Sequence, residues 1–155
     1  MNQQLPRFHV VIPCAGSGSR SGLGSPKQYA LLAGLPMVLH TLAAFDAVPG
    51  FGQGVVVVAP NDQHMAEVFA LYPQAHFAIS NTGGATRAQS VLAGLLALQS
   101  MGVDGNDWVL VHDAARCLVT PELIEKLLLA CQHDVVGGLL ALPLPDTLKA
   151  ETEGR

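Results

Sequence analysis

An apolar run, Phe8-His9-Val10-Val11-Ile12, leads straight into Pro13-Cys14-Ala15-Gly16-Ser17-Gly18-Ser19-Arg20-Ser21-Gly22, and Pro26-Lys27-Gln28-Tyr29 follows soon after. A short buried strand that ends in a glycine-rich turn belongs to an open α/β sheet, in which ligands bind beyond the carboxyl ends of the strands. Glycines there let backbone N–H groups turn toward an anion without interference from a Cβ. Arg20 and Lys27 add two cations to the same stretch. The turn therefore reads as a polyphosphate cradle and as the candidate active site. The plainer alternative is a glycine turn flanked by two solvated basic residues.

Two familiar phosphate-binding patterns do not fit. The Walker spacing, glycine, four residues and then Gly-Lys-Ser/Thr, is absent. The dinucleotide fingerprint is met at Gly16 and Gly18, but Ser21 stands where its third glycine belongs. The acidic residue that would hold a ribose at the end of a second strand is missing too, because Asp46 falls inside a helical pattern.

The rest of the chain alternates in the same way. Phe8 to Pro13, Gly54 to Pro60, His76 to Ser80, Trp108 to Asp113 and Asp134 to Leu142 read as strands, with helices between them. Pro36 to Val48 is predicted helical. Ala88, Val91, Leu92, Leu95 and Leu96 have the spacing of a core-facing stripe, as do Leu123, Ile124, Leu127, Leu128 and Cys131. Thr120 before Pro121 is a good N-cap followed by proline in the first turn, where Glu122 adds favourable negative charge. Apolar strands separated by helices of this length predict a mainly parallel sheet covered on both faces, a three-layer α/β/α sandwich. Residues 1–155 are expected to form one domain.

With 50% hydrophobic and 13% charged residues the chain should fold around a core. A net charge of −4 disfavours a nucleic-acid backbone as partner and makes a small molecule the better expectation. No apolar run is long enough to span a membrane and Met1 to Pro6 lacks the layout of a secretory signal, so no membrane association and a cytoplasmic location are expected. Cys14, Cys117 and Cys131 show neither a disulfide framework nor metal-ligand spacing.

Four motifs, in order along the chain, carry a resemblance. The Pro-x-Ala-Gly-x-Gly-x-Arg turn with Pro26-Lys27-Gln28-Tyr29 resembles the signature loop of the sugar-phosphate nucleotidyltransferases, and within them the 2-C-methyl-D-erythritol 4-phosphate cytidylyltransferase family. Gly83-Gly84-Ala85-Thr86-Arg87-Ala88-Gln89-Ser90-Val91, Val109-Leu110-Val111-His112-Asp113-Ala114-Ala115-Arg116 and Pro145-Asp146-Thr147-Leu148-Lys149 are similar to three further segments of that family. The resemblance implies a Rossmann-like, nucleotide-diphospho-sugar transferase-like fold. It also implies transfer of CMP from CTP to a polyol phosphate, with Mg²⁺ or another divalent cation held mainly by the triphosphate.

By the same resemblance Arg20 and Lys27 are the catalytic cations, and Cys14, Ala15, Gly16, Ser17, Gly18 and Ser19 wrap the nucleotide. Gly83, Gly84 and Ser90 resemble the reader of the cytosine, and Ala114 joins the nucleotide site. Arg87 either serves the nucleotide or caps and salt-bridges its own loop. Asp113 binds ribose, acceptor or metal ion, while Arg116 and Thr147 face the acceptor, whose pocket is completed across a homodimer. His112 looks like a general base, but a phosphate nucleophile needs none, which favours a structural histidine.

Members of this family continue beyond the Thr147 motif, so 1–155 is expected to be a domain shortened at its C-terminus. The related ribitol 5-phosphate cytidylyltransferase shares these loops but tends to carry phenylalanine where this chain has Tyr29. A CTP-binding fragment without turnover is the alternative from another class.

Overall fold

The computed structural model describes residues 5–16 and 26–143. Ser17, Gly18, Ser19, Arg20 and Thr147 lie outside them. Along the chain the elements are β1 (Phe8–Pro13), β2 (Leu31–Leu32), β3 (Leu35–Pro36), α1 (Met37–Asp46), β4 (Phe51–Val57), α2 (His64–Leu71), β5 (Phe77–Ser80), α3 (Arg87–Ser100), β6 (Trp108–Val111) and α4 (Pro121–Cys131). A single turn of 3-10 helix, Lys27–Tyr29, precedes the small β2–β3 hairpin. Ala33 and Gly34 turn that hairpin with φ of 50° and 86°, the left-handed pair that matches the twist of a two-residue connection.

The central sheet has four strands in the order β5-β4-β1-β6, and every pairing is parallel. Val10, Val11, Ile12, Val55, Val56 and Val57 are wholly buried, because strands covered on both faces have no polar side to present. Val10, Ile12, Val56 and Val58 pack against Val38, Leu42 and Phe45 of α1, Met65 of α2, and Ile124 and Leu128 of α4. Val11, Val55 and Val57 pack on the opposite face against Leu98, Ala93 and Ala97 of α3. Each buried valine contributes about 1.5–3 kcal/mol relative to its exposed state. The predicted layered architecture is the one observed.

At the strand starts, away from the glycine turn, wholly buried His9 joins neighbouring strands. Its Nδ1 accepts from the Gln53 N–H at 3.1 Å and its Nε2 donates to the Asp107 carboxylate at 3.1 Å. A Cβ on Gly52 would strike the His9 ring, and one on Gly54 would strike the Phe77 ring. The predicted strand begins only at Gly54, the second of these two glycines. In the fold both are the clearances that let β4 begin at Phe51.

Two expectations need correction. The stripe predicted to face the core on α3 does not: Leu92, Leu95 and Leu96 are exposed, while Ser90, Gly94 and Leu98 are buried. A Cβ on Gly94 would collide with Val11, so the helix comes close to the sheet along its small residues and turns the leucines outward. The run from Asp134 to Leu142, predicted as a strand, forms none. Asp134 Oδ1 accepts the N–H groups of Val136 at 2.8 Å and Gly137 at 3.0 Å, and Gly137 sits at φ 105°. This local turn captures the N–H groups that a sheet ladder would use.

Candidate active site

The glycine turn leaves β1 with its first residues already committed to the protein. The Cys14 N–H donates to Val57 O at 2.7 Å, and the Cys14 side chain is 3% exposed. Burial, reinforced by the nearby Asp62 charge, pushes the Cys14 thiol up to about 12, so it stays protonated and unreactive through the neutral range. We expect iodoacetamide in mildly alkaline buffer to label Cys14 at less than about a tenth of the rate of half-buried Cys117. Mass-spectrometric mapping of the native protein checks this, and equal labelling would contradict the buried placement.

Lys27 stands on the 3-10 turn opposite. It is exposed and makes no ion pair with any described residue. Its neighbour Gln28 is buried and reaches back to the glycine turn, donating from Nε2 to Cys14 O at 3.1 Å and Gly16 O at 3.3 Å. Tyr29 donates its hydroxyl to Asp62 Oδ2 at 2.7 Å, while Asp62 Oδ1 accepts from the Met65 N–H at 3.0 Å. Burial first, then Cys14 and Asp62, raise the Tyr29 phenol well above its usual range and keep it a donor.

The 81–90 segment leaves β5 and lies over the same turn. Gly83 donates its N–H to Val58 O at 2.9 Å, and a Cβ on it would collide with Ala15 and the Val58 carbonyl. Only glycine lets this backbone rest on Ala15. Thr86 caps α3 in a capping box: its Oγ1 accepts from the Gln89 N–H at 3.2 Å and its own N–H donates to Gln89 Oε1 at 3.1 Å. Ser90, nearly fully buried, accepts from the Gly84 N–H at 3.2 Å and donates to Thr86 O at 3.2 Å. Its hydroxyl therefore staples the loop.

Asp113, just past β6, joins two of the predicted residues. Arg87 at the start of α3 donates from Nε to Asp113 Oδ1 at 2.9 Å, and Arg116 donates from Nε to Oδ2 at 2.7 Å. Burial alone would raise this carboxyl, but the hydrogen bonds and charges of the two guanidiniums outweigh it and hold Asp113 below the ordinary carboxylate value. The pairing is therefore intact above the ordinary carboxylate pKa and is lost only as pH falls through the depressed one. Both bonds run through Nε of mostly exposed guanidiniums, and Arg87, Asp113 and Arg116 together line a cleft of about 720 Å³. Such forks suit a phosphate or carboxylate.

The neighbouring loop is pinned from inside. Buried Thr41 on α1 donates to Ala114 O at 2.9 Å, and His112 Nε2 donates to Arg116 O at 3.0 Å while its ring meets Phe45 edge-on. Thr41, Asp62 and Gln28 were not singled out in the sequence. The available signal was weak: a threonine on an otherwise apolar helix face, an aspartate before a helix, and a glutamine after the lysine.

A divalent cation would find little here to bind. Among the described residues no group of three His, Cys, Asp or Glu side chains is placed to hold one, and both Asp113 oxygens are taken by arginines. These residues do not fit a protein-built metal site.

A parallel sheet covered on both faces, with three loops meeting at the carboxyl ends of β1, β5 and β6 around a glycine turn, is the nucleotide-diphospho-sugar transferase fold. The family pattern of 2-C-methyl-D-erythritol 4-phosphate cytidylyltransferase matches residues 8–154, and the chain belongs to that family. It is 59% identical over 150 residues to a bifunctional enzyme IspD/IspF of Albidiferax ferrireducens, covering 97% of this chain and 35% of that protein. It is 53% identical over 150 residues to the 2-C-methyl-D-erythritol 4-phosphate cytidylyltransferase of Burkholderia multivorans, covering 96% of this chain and 62% of that one. The chain thus spans less than two thirds of the length of these relatives. A crystal structure of 4-diphosphocytidyl-2C-methyl-D-erythritol synthase superposes with a TM-score of 0.81 at 31% identity, covering 99% of this chain and 67% of that one. No helix among the described residues is long and apolar enough to cross a membrane.

Proposed function

We propose that residues 1–155 belong to a single nucleotidyltransferase domain of a cytidylyltransferase that transfers CMP from CTP to 2-C-methyl-D-erythritol 4-phosphate. The observation that carries this reading is the seating of Gly83 on Ala15 beside the Lys27 turn, in a chain of this family. A phosphate oxygen of the acceptor attacks the α-phosphorus of CTP. The bond from that phosphorus to the bridging oxygen of the β-phosphate breaks, and its electron pair leaves on pyrophosphate. The nucleophile is already an anion, so no general base is needed.

The chain's task is then to position the reactants and stabilise charge. Lys27, exposed on a turn anchored by Gln28 and Tyr29, meets the triphosphate, with Arg20 as its partner in the same stretch. Gly83 and Gly84 approach the cytosine edge with bare backbone, and Arg116 with Asp113 reaches toward the acceptor phosphate. A divalent cation such as Mg²⁺ would be held mainly by the triphosphate and would offset its charge. The partners assigned are CTP, a polyol phosphate and, by family resemblance, a second copy of the chain in the cytoplasm.

A pyrophosphate-release assay with Mg²⁺ tests this reading. CTP with 2-C-methyl-D-erythritol 4-phosphate is expected to outrun CTP with ribitol 5-phosphate, and ATP is expected to support no more than about a tenth of the CTP rate. A preference for ribitol 5-phosphate would reassign the acceptor. Equal use of ATP would remove the cytosine reading.

A further inference from the structure

We propose that Gln28 is a positioning residue for the transfer step, the tie that sets Lys27 against the glycine turn. Its side-chain amide bridges two carbonyls, Cys14 O at 3.1 Å and Gly16 O at 3.3 Å, which flank the residue on which Gly83 rests. Both partners are acceptors, so chemistry alone assigns Nε2 rather than Oε1 to this contact. The side chain is 7% exposed, and a buried amide facing two carbonyls has no equivalent partner to turn to. Lys27 itself is exposed and gains no support from an ion pair with a described residue.

The turn that carries Lys27 has further holds, and its Tyr29 side chain also lies beside Cys14. Tyr29 N–H donates to Pro26 O at 3.1 Å, Ala30 N–H to Lys27 O at 3.0 Å, and the Tyr29 hydroxyl to Asp62. Those contacts shape the turn and dock it toward α2. Only the Gln28 amide, among the described hydrogen bonds, runs from this turn to the carbonyls of the glycine turn. Removing it leaves two carbonyls without this donor and allows the lysine turn and the glycine turn to move independently. The inference rests on the proposed cytidylyl transfer for its catalytic consequence, but its structural part does not.

The test uses Gln28→Met, which keeps size and removes the donor, and Gln28→Glu, which restores a donor only when protonated. In the ligand-free protein, Gln28→Met is expected to speed amide exchange in residues 14–16 and 27–30 by about tenfold while α3 is unchanged. Unchanged exchange there would overturn the tie whether or not the protein turns over CTP. In pyrophosphate release, Gln28→Met is expected to lower kcat by about tenfold or more, yet to cost less than about twofold further in a Lys27→Ala background. Full additivity would mean that Gln28 does not act through Lys27. Gln28→Glu is expected to approach wild-type activity as pH falls, because its buried carboxyl then donates to a carbonyl instead of repelling two. A parallel pH profile for wild type and Gln28→Glu would contradict this. Failure of the wild type to use CTP would count against the proposed function alone, since amide exchange still decides the tie.

Discussion

Replacing Lys27 with alanine is expected to lower the rate of cytidylyl transfer by on the order of 10² or more, because its charge acts where negative charge shifts onto the leaving pyrophosphate. The fold should be indifferent to the change. Lys27 is exposed and makes no ion pair with a described residue, so truncation removes little buried surface and orphans no partner among the described residues. The melting temperature should therefore stay within about 2 °C of wild type, in line with surface substitutions generally. Steady-state pyrophosphate release together with a thermal melt separates the two effects. Activity within a few-fold of wild type would take Lys27 out of the mechanism, and a collapsed melt would mean that it supports the fold instead.

The second large effect is expected at Gly83. Valine there would push its side chain into the Ala15 methyl and the Val58 carbonyl, and the latter is backbone that cannot swing aside. Overpacking of this kind costs about 1–3 kcal/mol, and relief requires the 81–84 backbone to lift off the glycine turn. CTP affinity measured by calorimetry should then fall by about tenfold or more, since each 1.4 kcal/mol is a factor of ten in binding. Gly105→Ala is the matched control, because a Cβ there meets open space, and it should change stability by less than about 0.5 kcal/mol. Undiminished CTP binding by Gly83→Val would show that the close approach to Ala15 does not build the base site.

The sequence displayed the parts of this fold that depend on local chemistry. β1 lies at its predicted bounds because a run with four apolar residues ends at a proline and a glycine turn, and α4 begins at Pro121 behind its Thr120 cap because cap and proline both satisfy a helix start. What it hid depends on close approach between distant segments. Gly52, Gly54 and Gly94 are clearances for His9, Phe77 and Val11, and no local pattern distinguishes such a glycine from a breaker. The leucines of α3 misled for the same reason: periodicity finds the apolar face, but the small face is the one that meets the sheet. At the site, the glycines, Lys27, Asp113 and Arg116 were legible as motif residues. The shared hold of Asp113 on Arg87 and Arg116, and the reach of Gln28 to two carbonyls, required the folded geometry.

The central claim is that one CTP site is built where the glycine turn, the Lys27 turn and the 83–84 backbone meet. A crystal structure of the chain with CTP and Mg²⁺ tests it most directly. The account predicts cytosine against the backbone of Gly83 and Gly84 beside Ala15, with the triphosphate along the glycine turn and Lys27 Nζ in contact with a phosphate oxygen. CTP seated elsewhere, or a triphosphate out of reach of Lys27, would contradict it.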